Sequence, residues 1–157
     1  MNVFDVIGPI MIGPSSSHTA GAARLGNVAR TVFAREPKYA KIGLYGSFAK
    51  TGKGHGTDKA LIAGVLGMQP DDVRLRESFE YAKKAGLEFS FENIEVPGGH
   101  PNTARITLDD GEGNSFTLEG ASIGGGSIKV TKLDGYEVEL SFEIPTLVVR
   151  HIDSPGV

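Results

Sequence analysis

Residues 104–118 read ARITLDDGEGNSFTL and lie in the second half of the chain. Apolar residues alternate with polar ones on both sides of Asp110-Gly111, a dipeptide that favours the positive φ of tight turns. The same period of two recurs after Leu87, and Asp134-Gly135 supplies a second turn signal; the apolar sets are Phe89/Phe91, Ile128/Val130 and Val138/Leu140/Phe142. Such alternation predicts antiparallel strands with one polar face.

The first half of the chain carries helical patterns instead. From Ala20 to Glu36 apolar residues recur at helical spacing, and Pro37 ends the run. After it we predict a short strand at 41–45, a long glycine-rich loop at 46–56, a second helix capped by Thr57 or Asp58 and a third helix at 76–85. Helices followed by a strand meander predict an α+β fold, with helices packed on a mostly antiparallel sheet.

The composition excludes several classes of protein. The chain has 157 residues, enough for one compact domain, and its 16 basic and 19 acidic residues are interspersed, which argues against a nucleic-acid partner. No apolar run has the length of a membrane span and no signal pattern opens the chain, so we expect a cytoplasmic protein with no membrane partner. The absence of cysteine excludes disulfides, thiolate metal sites and an iron–sulfur cluster held by its own cysteines.

The last residues begin another β-like run. Residues 146–152 have strand character and are followed by the turn-forming sequence DSPGV. We therefore predict a main domain over residues 1–145 and the truncated opening of a second domain over residues 146–157. His151 falls in this terminal run and is predicted to be structural or to belong to that second domain.

Three of the four histidines lie in segments of glycine and other small residues. These segments are Gly13–Thr19 around His18, Gly52–Asp58 around His55 and Gly98–Asn102 around His100. Small residues leave backbone amides open, and two of the segments lead into predicted helix N-termini, where N–H groups without intrahelical partners attract anions. The pattern therefore predicts an anion site.

The first segment offers the hydroxyls of Ser15, Ser16, Ser17 and Thr19 to a carboxylate or phosphate. Its simpler interpretation is that Ser17 or Thr19 only caps the following helix.

His55 is predicted to be a general base, because an exposed imidazole near a carboxylate suits proton abstraction at neutral pH. The alternative is a surface loop with an incidental histidine. The alternative for His100-Pro101-Asn102 is a simple turn, and residues 122–127 are either a nest of backbone amides or a β-bulge or hairpin loop.

Taken together, these segments resemble the β subunit or β domain of the bacterial iron–sulfur L-serine dehydratases. The residues that carry the resemblance are Ser15–Gly21 (SSSHTAG), Lys53–Asp58 (KGHGTD), His100-Pro101-Asn102 and Ser122–Gly126 (SIGGG). The family's members are lyases that work without pyridoxal phosphate and convert L-serine to pyruvate and ammonia with a 4Fe-4S cluster. Their β fold is similar to the allosteric substrate-binding domain of some phosphoglycerate dehydrogenases, and an ACT domain follows in many members.

The resemblance also implies roles for particular residues and partners. His55, His18 and His100 would surround the reacting centre, with His55 as the base. The predicted substrate-binding residues are Ser15, Ser16, Ser17, Thr19, Thr57, Asp58, Asn102, Gly124 and Gly125. The 4Fe-4S cluster would be held by the α subunit or domain, with no metal ligand in this chain. The expected partners are L-serine and the α subunit in a homo- or hetero-oligomer, and residues 146–157 would open the ACT domain. The isolated chain would be inactive.

Two other interpretations of the same histidine segments remain open. The first is a non-catalytic regulatory module that binds L-serine or another small anion without any cluster. The second is a zinc hydrolase with three histidine ligands and an open coordination position for water.

Overall fold

The computed structural model describes residues 9–152 and 155. Four α-helices and six strands follow a single turn of π-helix at Ser16–Gly21; they are α1 (Ala22–Phe33), β1 (Tyr39–Leu44), α2 (Ser47–His55), α3 (Thr57–Val65), α4 (Ser78–Lys84), β2 (Glu88–Asn93), β3 (Thr103–Asp109), β4 (Ser115–Gly124), β5 (Ser127–Leu133) and β6 (Tyr136–Leu140). A short 3₁₀ helix at Val73–Glu77 leads into α4. Within the described part of the chain, no helix is long and apolar enough to cross a membrane.

The strands form one sheet in the order β2-β1-β3-β4-β5-β6. All neighbouring pairs are antiparallel except β1 and β2, which run parallel. The α+β class with a mostly antiparallel sheet is therefore confirmed, whereas the prediction that β2 is antiparallel was wrong. The reason is connectivity, since three helices separate β1 from β2 and such a crossover joins parallel strands.

The helices cover one face of the sheet. Ile106 on β3, Leu118 on β4, Leu25 of α1 and Leu61 of α3 are fully buried in one hydrophobic core. The two central helices touch through glycine, because a Cβ added to Gly64 would overlap the carbonyl oxygen of Ala23 and lie 2.7 Å from the amide nitrogen of Asn27. This contact between backbones holds α1 and α3 closely together.

The predicted loop at 46–56 was wrong, because residues 47–55 form helix α2. Tertiary contacts outweigh the low helix propensity of the two glycines in it. The carbonyl oxygen of Pro101 accepts from the amides of Ser47 (2.7 Å) and Phe48 (3.4 Å), and the Phe48 side chain is fully buried.

The predicted cap of the next helix was also wrong. Gly56, with φ of 74°, is the N-cap of α3 and no side chain caps that helix. Thr57 Oγ1 is buried without a hydrogen-bond partner, and Asp58 Oδ1 accepts from the amide of the adjacent Lys59.

The two predicted turns differ in outcome. Asp134 and Gly135 both have positive φ (48° and 82°) and join β5 to β6 as a tight turn. Asp110-Gly111 instead belongs to a five-residue loop, 110–114, in which Asp110 has no positive φ and its Oδ1 accepts from the amides of Glu112 and Asn114. A side chain that bonds the loop's own amides replaces the two-residue turn.

Residues 146–152 have no regular secondary structure, so the strand predicted there is not formed. Leu147 is 86% exposed and Ile152 is 90% exposed. The assignment of residues 146–157 to a second domain stays a prediction, and residues 153, 154, 156 and 157 of that range lie outside the described part of the chain.

Candidate functional site

The π-turn at Ser16–Gly21 places the His18 side chain beneath the start of α1. Ser15 caps this turn, because its Oγ accepts from the amide of His18 at 3.2 Å and its carbonyl accepts from the amide of Thr19. Ser15 thus takes the capping role that was considered for Ser17 or Thr19. The His18 side chain is 8% exposed.

Both ring nitrogens of His18 face hydroxyl groups. Nδ1 lies 3.1 Å from Ser17 Oγ and 3.5 Å from Ser15 Oγ. Nε2 lies 3.2 Å from Thr51 Oγ1 and 3.3 Å from Ser47 Oγ, both on α2. Phe48 packs on the ring edge-on, with centroids 5.2 Å apart. The ring is therefore held between the serine-rich segment and α2.

His55 lies beside His18 at the end of α2, with ring centroids 4.8 Å apart. Its Nδ1 is 3.1 Å from the carbonyl oxygen of Thr51. A carbonyl oxygen only accepts, so Nδ1 of the neutral ring carries the proton and Nε2 presents its lone pair. The side chain is exposed, as predicted.

The pKa of His18 lies below the ordinary value of 6.5. Burial is the largest cause, because it disfavours the charged ring, and the charge of the neighbouring His55 lowers the pKa further. A hydrogen bond with the Ser47 backbone acts in the opposite direction. His18 is consequently neutral at physiological pH, and it does not repel a proton on His55.

A cleft of about 430 Å³ opens beside His55, between the Gly13-Pro14 segment and the start of α3. The charged residues that line it within the described part of the chain are Lys53, Lys59, Arg76 and Asp58, so positive charge is in excess among them. Thr19 lies on its wall, 2% exposed, with an Oγ1 that has no hydrogen-bond partner. A buried donor without a partner and an excess of cations suit a small carboxylate ligand.

The His100 segment lies at the other end of α2. The amide of Asn102 donates to His100 Nδ1 at 3.1 Å, and the carbonyl of Asn102 accepts from the amide of Ser122 at 3.0 Å. Among the described residues no hydrogen bond or ring contact joins His100 to His18 or His55. The segment instead supports α2 through Pro101, and the catalytic role of His100 stays a prediction.

Asn102 and Ser122 each retain a polar atom without a partner. Asn102 Oδ1 and Ser122 Oγ are buried with no hydrogen bond. The Ser122 hydroxyl lies beside the π-turn, because a Cβ on Gly21 would overlap Ser122 Oγ. The substrate-binding role predicted for Asn102 stays a prediction.

Gly124 is the last residue of β4 and Gly125 lies in the turn to β5, with φ of 107° and 61°. The hairpin interpretation of this segment therefore holds, and neither glycine lines the cleft beside His55. The turn approaches the π-turn through Gly126, where an added Cβ would lie 3.6 Å from Ala20 Cβ. Ligand binding by Gly124 and Gly125 stays a prediction.

Sequence reasoning missed Ser47 and Thr51 as partners of His18, and Lys59 and Arg76 as cleft residues. Ser47 and Thr51 are four residues apart and share one face of α2. That spacing is informative only in a helix, whereas the local sequence predicts a loop. Nothing in the local sequence around Lys59 or Arg76 indicates that the two lie on one cleft.

The described residues contain no group of three or more histidine, cysteine, aspartate or glutamate side chains placed to hold a metal ion. A zinc site of three histidines would need His100 beside the other two. The structure pairs only His18 with His55.

The sequence of this chain is similar to those of serine dehydratase beta chains. The family model described as serine dehydratase beta chain matches residues 2–88, which include the π-turn, α2 and the cleft residues. A Bacillus subtilis protein named "Probable L-serine dehydratase, beta chain" is 50% identical over 155 residues, covering 99% of this chain and 70% of that protein. The L-serine dehydratase beta chain of Peptoniphilus asaccharolyticus is 43% identical, covering 99% of this chain and 71% of its own length.

L-serine dehydratase 2 of Escherichia coli is 30% identical over an alignment that covers 92% of this chain and 37% of that longer protein. The resemblance found in the histidine segments is thereby confirmed over nearly the full chain. The chain belongs to the serine dehydratase beta chain family.

Proposed function

We propose that this chain is the substrate-binding β subunit of an iron–sulfur L-serine dehydratase, which converts L-serine to pyruvate and ammonia by β-elimination. The observation that carries the proposal is the His18–His55 pair, whose centroids are 4.8 Å apart beside a cleft with excess positive charge. Family membership supports the same reaction, because the relatives are named for it.

L-serine enters the cleft as a zwitterion. Lys53, Lys59 and Arg76 attract its carboxylate, and the unpartnered hydroxyl of Thr19 donates to a carboxylate oxygen. Asp58, an acidic residue on the cleft wall, faces the substrate's ammonium group. Charge pairing at both ends of the amino acid orients its Cα–H bond.

His55 removes the α-proton through Nε2, because Nδ1 is already protonated and bonded to the Thr51 carbonyl. The neutral His18 beside it adds no charge repulsion when the proton arrives. Loss of the β-hydroxyl as water then gives aminoacrylate, which tautomerises to the imine; hydrolysis of the imine by water gives pyruvate and ammonia.

The 4Fe-4S cluster is expected on the α subunit. This chain has no cysteine, so its side chains do not match the donor set of such a cluster. When bound by the partner, the cluster supplies Lewis-acid iron to the substrate hydroxyl. We therefore expect the isolated chain to be inactive and the enzyme to be an α–β assembly.

The test is L-serine turnover after anaerobic mixing of the chain with a reconstituted α subunit. The wild-type mixture should form pyruvate, and His55→Ala should lower kcat at least about 100-fold, the usual contribution of a general base. His151→Ala is the matched control, because His151 is an exposed histidine whose one hydrogen bond within the described residues is between Nδ1 and the carbonyl oxygen of the adjacent Ile152. Normal turnover in the His55→Ala complex would refute its role as base.

A regulatory module that binds L-serine or another small anion is the second candidate. The cationic cleft supports it, because anion binding by Lys53, Lys59 and Arg76 needs no cluster. Serine binding by calorimetry, combined with no pyruvate from the complete mixture, would favour this function over catalysis.

A further inference from the structure

We infer that Thr51 is a positioning residue whose hydroxyl and main-chain carbonyl determine which nitrogen of His18 and of His55 carries the proton. The catalytic consequence rests on the proposed function, whereas the two tautomers follow from the contacts alone. The sequence pattern around Thr51 does not indicate a role for it, and Thr51 does not line the cleft.

The first step concerns the single proton of the Thr51 hydroxyl. Thr51 Oγ1 donates to the carbonyl oxygen of Ser47 at 2.9 Å. With its proton used there, Oγ1 acts as an acceptor toward His18 Nε2, 3.2 Å away. His18 Nε2 therefore carries a hydrogen, and Ser47 Oγ at 3.3 Å is its second acceptor.

The second step concerns the opposite nitrogen of His18. A neutral imidazole protonated on Nε2 presents a lone pair at Nδ1. Ser17 Oγ, 3.1 Å from Nδ1, donates to that lone pair. Thr51 on one side and Ser17 on the other thus hold the buried ring in one tautomer and one orientation.

The third step concerns the main chain of Thr51. Its carbonyl oxygen has two lone pairs, so it accepts the Nδ1 hydrogen of His55 at 3.1 Å in addition to a helical bond. His55 is thereby fixed with its lone pair on Nε2, the opposite tautomer from His18. One residue of α2 therefore determines the tautomer of both rings, which lie in contact with each other.

The chain offers a matched control for the hydroxyl. Thr31 on α1 makes the same contact as Thr51, donating through Oγ1 to the carbonyl of the residue four positions earlier, Asn27, at 2.8 Å. It has no histidine partner in this contact. If both Thr31→Val and Thr51→Val produce the same effect, the cause is the loss of a threonine hydroxyl from a helix. An effect of Thr51→Val alone comes from the loss of the hydrogen-bond acceptor of His18.

The experiment is ¹⁵N NMR of the imidazole rings in the full chain labelled on histidine, at a pH where both rings are neutral. The wild type should show His18 protonated on Nε2 and His55 protonated on Nδ1. Thr51→Val should reduce the Nε2-protonated population of His18, whereas Thr51→Ser and Thr31→Val should leave it unchanged. A wild-type His18 protonated on Nδ1, or a Thr51→Val spectrum identical to that of Thr31→Val, would overturn the inference.

The catalytic arm uses the same variants in the complex with the α subunit. Thr51→Val should lower kcat about fivefold, the effect of one hydrogen bond of about 1 kcal/mol, with little change in KM, and Thr51→Ser should restore it. If the wild-type complex forms no pyruvate, the proposed function fails while the NMR result still decides the tautomers. If the wild type is active and Thr51→Val has normal kcat, the positioning role is refuted.

Discussion

At the scale of single residues, the most informative side chain is His18. It is 8% exposed, yet both of its ring nitrogens have hydroxyl partners. A neutral imidazole has one nitrogen that donates and one that accepts, and hydroxyl groups meet both needs because each can donate or accept. Ser17 and Thr51 provide hydroxyls on its two sides, and only the Thr51 oxygen is committed to accepting.

His18 therefore makes the stability of the fold depend on pH. Its folded-state pKa lies below the unfolded value of about 6.5, so the full stability is present above that pH. As pH falls through 6.5 toward the folded-state pKa, the unfolded chain takes up a proton that the folded chain does not, and stability is lost. His18→Gln should show a smaller loss between pH 7.5 and about 5 in urea unfolding.

The control for this pH dependence is His151→Gln, which changes an exposed histidine outside the core. It should retain the pH dependence of the wild type. An unchanged slope in His18→Gln would show that another group causes the loss of stability.

At the scale of elements, glycine determines how α1 and α3 pack. A Cβ on Gly64 would meet main-chain atoms of Ala23 and Asn27, which cannot rotate away as a side-chain end can. The π-turn that carries His18 leads into α1, and α3 begins two residues after His55, so a change in the separation of these helices is expected to move the two rings relative to each other. We therefore expect the distance between His18 and His55 to depend on the close contact between the main chains of α1 and α3.

Gly64→Ala should destabilise the chain by about 3 kcal/mol, because the helices must move apart to admit a methyl group. Gly54→Ala is the matched control, since Gly54 is also helical and an added Cβ there has no neighbour within 4 Å. It should be neutral or stabilise the chain by up to about 1 kcal/mol. Urea midpoints measure both effects, and equal midpoints for the two variants would contradict the packing argument.

At the scale of the whole molecule, the cleft combines parts that are distant in the chain. Thr19 comes from the π-turn, Lys53 from α2, Lys59 from α3 and Arg76 from the 3₁₀ helix before α4. All four residues line the same cleft. Together they give a molecule of net charge −3 a local site with excess positive charge.

Lys53→Ala should raise the KM for L-serine about fivefold in the complex with the α subunit, because one partly screened charge on the carboxylate contributes about 1 kcal/mol. Lys50→Ala removes an exposed lysine from the same helix, one turn away and off the cleft, and should leave KM unchanged. Equal KM values for both variants would place the substrate carboxylate elsewhere.

The alternation of residues after Leu87 and the helical spacing after Ala20 sufficed to predict the α+β class, because each period is a local property of the chain. The same is true of the exposed His55 and of the turn at Asp134-Gly135, where neighbouring residues decide the backbone. Family membership was also predictable, since the short histidine motifs occur together and in order.

Only the tertiary structure decided which groups meet. The segment at 46–56 is helical because the Pro101 carbonyl and the buried Phe48 stabilise it, and neither contact is local. Helix α2 then brings Ser47 and Thr51 to His18, pairs the two histidines and leaves His100 apart. Local sequence determined the elements through propensity and period, whereas contacts between distant segments determined the site, because a hydrogen bond or a charge pair depends on distance in space.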